Sequence, residues 1–247
     1  MKPGNKPQNG HFSIKAALPN LITLFSICVG LSAVRLAFTE RTELAVVALV
    51  IAMVMDGIDG RVARALNSQS EMGKELDSLA DFFNFGIAPG LILFMTIFNG
   101  TDYSNFGWVA VMFLAVCCAF RLARFNASVE DEICGHFEGV PAPILALLSL
   151  IPVYLHLLGW DLVTDHPYLV TVYLFFCGLL AASRVPTISL KSLTIPTSAQ
   201  SLLIILATVF FACGLVFPWE TLSLFGFCYL LSIPIYARRL KAKDTNP

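Results

Sequence analysis

The sequence predicts an all-α, polytopic membrane protein, and three observations carry that prediction. Of the 247 residues, 57% are hydrophobic and only 13% charged, against about 25% charged in a soluble domain; mean hydropathy is +0.75. The apolar residues gather into runs near the roughly 20 that a helix needs to cross a bilayer. Lysine and arginine then collect at alternate ends of those runs, as membrane topology requires.

Eight spans follow in order, near 18–38, 43–64, 75–98, 106–125, 141–159, 167–183, 199–217 and 220–236. A polar lead-in, 1–17, precedes them, and His11 to Leu18 suits either an interfacial helix with Phe12, Ile14 and Leu18 toward lipid or a disordered lead-in. The first apolar stretch runs too long for a cleaved leader, so it is expected to stay as a helix. Pro141 and Pro143 open the fifth span, and a polar stretch from Arg184 to Thr197 joins the sixth to the seventh. Residues 18–237 are expected to form the membrane domain, and 238–247 a tail whose Arg238, Arg239, Lys241 and Lys243 suit anionic headgroups and not nucleic acid.

With the N-terminus cytoplasmic, 14 of the 16 basic residues fall on the cytoplasmic side, and only Arg35 and Arg41 fall opposite. That bias predicts two cytoplasmic termini and an even number of spans. Trp108, Trp160 and Trp219 lie near the opposite helix ends, as interface anchors do. The seven cysteines show no CxxC pair and no Cys/His spacing for a metal, so they read as small buried hydrophobes. Asn126-Ala127-Ser128 fits a glycosylation acceptor, but on the cytoplasmic side it would not be used.

Against this apolar background stand Asp56, Asp59, Asp77 and Asp81, interleaved with Gly60, Ala63, Arg64 and Gly73. An ionisable residue in a span is costly and marks a functional site, commonly facing a polar cavity. At 100° per residue, Asp56, Asp59, Gly60, Ala63 and Arg64 share an arc of roughly 140° on the second helix. Gly73, Asp77 and Asp81, spaced by four, make a stripe roughly 80° wide on the third. A short polar loop at Asn67 to Ser70 would set the two stripes face to face. Hard carboxylate oxygens select Mg²⁺, Mn²⁺ or Ca²⁺, and four of them suit two divalent ions, which would offset their mutual repulsion. Paired ions of this kind clamp phosphoryl oxygens, while the small residues leave room beside the backbone and Arg64 adds positive charge. Two other readings use the same residues: acids that merely pair with Arg61, Arg64 and Lys74, and a cation transporter with a carboxylate-lined path.

The pattern Asp56-x2-Asp59-Gly60-x2-Ala63-Arg64-x8-Gly73-x3-Asp77-x3-Asp81 resembles the signature of the CDP-alcohol phosphotransferases at all eight fixed positions over 26 residues. Around it, Leu18-Pro19-Asn20, the Asn67-Ser68-Gln69-Ser70 run, Phe85-Gly86-Ile87-Ala88-Pro89, the Arg121–Asn126 run and Phe137 to Pro143 are similar to the branch whose acceptor is serine. The likeness covers about 18–155, and the C-terminal third carries no motif. It implies a six-helix core plus two C-terminal helices, a homodimer, a divalent-metal site open to the cytoplasm, and the bacterial cytoplasmic membrane as location. The substrates it implies are CDP-diacylglycerol, held among membrane lipids, and L-serine, which would yield phosphatidylserine and CMP. Asp56, Asp59, Asp77 and Asp81 match the metal-binding acids, and Asp81 also matches the catalytic base. Asp59, Gly60, Ala63, Arg64 and Gly73 match positions around the cytidine diphosphate, and Asn20 is a further nucleotide contact.

Acceptor choice rests on less. Arg121 and Arg124, at i and i+3 on one helix face, are suited to grip a carboxylate, with Asn126 adding a hydrogen bond. Glycerol 3-phosphate would suit two arginines as well, and inositol and choline are further acceptors for the same chemistry. Membrane anchoring by positive charge is the plainer alternative for the pair. His136 and Glu138 are candidates for the substrate entrance, although a solvated loop explains them equally.

Overall fold

The computed structural model of the chain describes residues 14–66, 68, 70–127, 137–187 and 197–244. Nearly all of them are helical. α1 (Ile14–Phe38) and α2 (Thr42–Ala65) form an antiparallel hairpin and share the most extensive helix contact among the described residues. Their buried sides follow helical spacing: Thr23, Ser26, Gly30, Ala33 and Ala37 on α1, and Ala45, Leu49, Ala52, Asp56 and Asp59 on α2. Small residues let membrane helices approach closely where lipid supplies no hydrophobic drive. Outside that seam Leu21, Leu24, Phe25, Leu31 and Val47 are exposed, as suits sides turned to acyl chains.

The third helical run, Glu71–Phe98, is continuous but not uniform. It comprises α3 (Glu71–Asp81), a π turn (Phe82–Ile87), α4 (Ala88–Leu93) and a second π turn (Phe94–Phe98). Pro89 explains the first π turn, because its ring clashes with the carbonyl four residues back, at Phe85. The ladder widens to relieve that clash, and the Ala88 N–H reaches five residues back to Phe83 O. α5 (Ser104–Ala127) packs on this turn and on α9 (Pro167–Ala182).

The expected fifth span is two pieces, α6 (Ala142–Ser149) and α7 (Ile151–Leu157), broken at Leu150. Pro152 has no N–H for the Leu148 carbonyl. Tyr173 on α9 donates to that carbonyl instead, at 2.8 Å. A single short turn, α8 (Leu162–Asp165), leads into α9. α10 (Thr197–Val216) and α11 (Pro218–Asp244) form the C-terminal pair, and α11 leans on α7. The basic stretch from Arg238 to Lys243 lies on α11 backbone, and α1 is already helical at Ile14; the lead-in before it, His136, Asn67 and Gln69 lie outside the described residues.

The extended pairing among the described residues is two residues long. Phe137 and Glu138 run antiparallel to Pro186 and Thr187, opposing Thr187 and Pro186 in turn. Gly139 follows at φ +77° and donates to Val185 O at 2.9 Å. The class remains helical. Three described helices are both long and apolar enough to cross a membrane: Ala17–Phe38, Glu71–Phe98 and Ser104–Ala127. Ala142–Leu157, Pro167–Ala182 and Ile204–Val216 are apolar but shorter.

Candidate active site

The α2–α3 connection builds the site. α2 ends at Ala65 and α3 begins at Glu71, so the signature's two halves sit on antiparallel neighbours. Ser70 caps α3, its Oγ accepting the Gly73 N–H at 3.0 Å. That bond satisfies a backbone donor with no partner within the helix and fixes the angle at which α3 departs. A Cβ on Gly73 would lie 2.9 Å from Asn20 Oδ1 and 3.0 Å from Ser70 Oγ. Glycine at 73 is what allows α1 and the α3 cap to close there.

A cleft of about 230 Å³ opens between these elements. Asn20, Asp59, Gly60, Ala63, Arg64 and Gly73 all line it, together with Thr23, Lys74 and Asp77. Nothing lies within 4 Å of a Cβ placed on Gly60, so α2 presents bare backbone to the open space. Arg64 and Lys74 bring two cations to the rim, and the charge of Arg64 acts on Asp77.

Below the rim the acids converge. One carboxylate oxygen each from Asp56, Asp59 and Asp77 lies within 4.8 Å of the other two. Asp81 stands outside that trio, with its carboxyl beside that of Asp56 and within the field of Arg121. Asp56 and Asp59 are buried, and Asp56 Oδ1 has no hydrogen-bond partner. A buried oxygen left without a partner costs about 1–3 kcal/mol, more if charged. Three converging carboxylates with such an oxygen among them therefore fit a hard divalent cation, which is the donor set Mg²⁺ and Mn²⁺ take.

Thr23 escaped the sequence reading. Its Oγ1 donates to Asp59 Oδ2 at 2.5 Å and also lies 3.1 Å from Pro19 O. The available signal was its position one helical turn beyond Asn20, a polar residue on the same stripe of an apolar run.

The two arginines of α5 go different ways. Arg121 is buried, lies near Asp81, and has an Nε without a hydrogen-bond partner. Arg124 turns to the end of α9, where Nη1 donates to Ala182 O at 3.0 Å and Nη2 to Ser183 O at 3.1 Å. Those carbonyls are among the four that a helix C-terminus leaves unpaired. Asn126 donates to Ser78 Oγ on α3 at 2.9 Å. Of the three expected acceptor residues, Arg121 thus lies near Asp81, while Arg124 and Asn126 make bonds to neighbouring helices.

A family model described as CDP-alcohol phosphatidyltransferase matches residues 16–182, two thirds of the chain and all of the site. The chain belongs to that family. A second model, CDP-alcohol phosphatidyltransferase 2, matches residues 201–234 in the C-terminal pair. Among similar proteins, one from Mycobacterium leprae (strain TN) is 33% identical over 225 residues, 88% of this chain and 73% of that protein. Another, from Helicobacter pylori (strain ATCC 700392 / 26695), is 32% identical over 213 residues, 86% of this chain and 87% of the relative. A third, from Saccharomyces cerevisiae (strain ATCC 204508 / S288c), is 34% identical over 155 residues, 55% of each chain. All three bear the name CDP-diacylglycerol–serine O-phosphatidyltransferase.

Proposed function

We propose that the protein transfers a phosphatidyl group from CDP-diacylglycerol to the hydroxyl of L-serine and releases CMP. One observation carries this reading: Asn20, Asp59, Gly60, Ala63, Arg64 and Gly73 line a single cleft directly above a carboxylate cluster. The names of the relatives support the two substrates.

In this reading the cytidine diphosphate lies along the bare backbone at Gly60, with Arg64 and Lys74 opposing phosphate charge at the rim. The acyl chains remain in lipid. Asp56, Asp59 and Asp77, with Asp81 beside Asp56, are the residues that hold two divalent ions, Mg²⁺ or Mn²⁺. Such ions, when bound, offset charge on the diphosphate and on departing CMP. Arg121 receives the serine carboxylate beside Asp81. Asp81 takes the hydroxyl proton as the serine oxygen bonds to the β-phosphorus, and the bond from that phosphorus to the CMP oxygen breaks. CMP leaves with the bonding electron pair.

The positive-inside count supports a cytoplasmic mouth for the cleft, two cytoplasmic termini and an even number of spans, taken as eight, and the bacterial relatives support a bacterial inner membrane. The resemblance supports a homodimer. The deciding experiment measures CMP release by purified protein from CDP-diacylglycerol with Mg²⁺ or Mn²⁺, offering serine, glycerol 3-phosphate, inositol or choline. Serine alone should elicit it, chelation should stop it, and equal release with another acceptor would refute the assignment. Proteoliposomes that carry cations without CDP-diacylglycerol, and release no CMP, would favour the transporter reading.

A further inference from the structure

The π turn after Asp81 holds a polar contact that the reaction above does not use. Asn84 is fully buried in that turn, and its Nδ2 donates to Ser26 Oγ at 3.2 Å. Ser26, also fully buried, donates to the Thr23 carbonyl at 2.8 Å. Thr23 in turn holds Asp59 through its hydroxyl. Asn84 Oδ1 has no hydrogen-bond partner and sits against the α1 backbone at Gly30, where a Cβ would collide with it.

Stability does not account for this arrangement. A buried amide with an unpaired oxygen is destabilising, and apolar residues of similar shape at both positions would pack at no such cost. Its placement does account for it. A π turn departs from the i→i−4 ladder, so helical phase alone does not fix how Asp81 is presented. The Asn84–Ser26 bond refers that turn to α1, the same helix whose Thr23 fixes Asp59. Both acids are thereby set from one stretch of α1, Thr23 to Gly30.

We infer that Asn84, clamped to Ser26 and seated on Gly30, is a positioning residue that sets Asp81 relative to Asp59. The inference rests on the proposed function, because it takes Asp81 as the proton acceptor. Misplacing a reacting group by an ångström costs on the order of 10²-fold in rate.

The test compares wild type with Asn84→Ala, Ser26→Ala and the double variant, all full-length in lipid nanodiscs. Steady-state CMP release with serine is measured, together with the rise in Tm that Mn²⁺ produces without substrate. Each single variant should lose on the order of 10²-fold in kcat, with the KM for CDP-diacylglycerol within about twofold of wild type. The Mn²⁺-induced rise should persist, and the double variant should be no slower than the slower single one, as for residues acting as a unit. Should Asn84→Ala not accumulate, Ser26→Ala and Gly30→Ala, which dislodges Asn84 by collision, carry the same expectation. A wild-type kcat in these variants, or multiplying losses in the double, overturns the inference while leaving the proposed function standing. So does loss of the Mn²⁺ effect in step with kcat, which would mark general disruption. Wild-type protein that releases no CMP with serine overturns both.

Discussion

Thr23 Oγ1 donates to Asp59 Oδ2 at 2.5 Å, joining the first helix to the second at an acid shared by the cleft and the carboxylate cluster. Both residues are buried in the walls of that cleft. A hydrogen bond to a charged group contributes about 1.5–3 kcal/mol. Thr23→Val keeps the shape and removes the donor, and it should raise the half-saturating Mn²⁺ concentration for CMP release about 10- to 100-fold. Thr23→Ser keeps the hydroxyl and should stay near wild type. An unchanged Mn²⁺ titration in the valine variant would remove Thr23 from the site.

Arg121 and Arg124 should separate by phenotype, although one turn of α5 divides them. Arg124 donates to two carbonyls at the end of α9, so Arg124→Met should lower Tm by several degrees, the shift expected for about 1–3 kcal/mol. Its KM for serine should hardly change. Arg121→Lys keeps the charge and loses the planar fork, and it should raise the serine KM by about tenfold or more. Acceptor titrations on both variants decide this, and equal effects on serine KM would restore a joint role.

Asp81 flanks the three converging acids at Asp56, which suits a group that handles a proton. Asp81→Asn keeps the size and removes the base, so turnover should fall by at least about 10²-fold. Binding of CDP-diacylglycerol, followed by its protection against heating, should persist. Turnover near wild type in the Asp81→Asn variant would exclude the role.

The helices were legible because span length and charge alternation are written into composition, and the ends near Phe38, Ala65 and Phe98 follow polar or turn residues. The stripes of the second and third helices were legible because helical phase alone sets Asp56 with Asp59 and Asp77 with Gly73. What periodicity does not encode is a break in the period. The π turn before Pro89 stems from a ring clash and the interruption at Leu150 from the N–H that Pro152 lacks, and the partner that compensates Leu148, Tyr173, lies 25 residues away. Arg124 shows the same limit. Its i+3 spacing from Arg121 is a local fact, whereas the α9 carbonyls that claim it are 58 and 59 residues distant. Helical phase likewise does not say which acids converge most closely: Asp56, Asp59 and Asp77 do, with Asp81 against Asp56.

Gly60 and Gly73 offer the sharpest contrast between folding and binding. A methyl group on Gly60 meets nothing within 4 Å, and alanine is better than glycine in a helix by about 0.5–1 kcal/mol. Gly60→Ala should therefore raise Tm slightly while filling the space where α2 presents bare backbone, and its KM for CDP-diacylglycerol should increase about tenfold or more. At Gly73 the same methyl would press on Asn20 Oδ1 and the Ser70 cap, so Gly73→Ala should lower Tm and weaken donor binding together. Melting curves and donor titrations on the two variants provide the check. A Gly60→Ala enzyme with wild-type donor KM would mean that the nucleotide does not lie along this face of α2, and the cleft would have to bind it elsewhere.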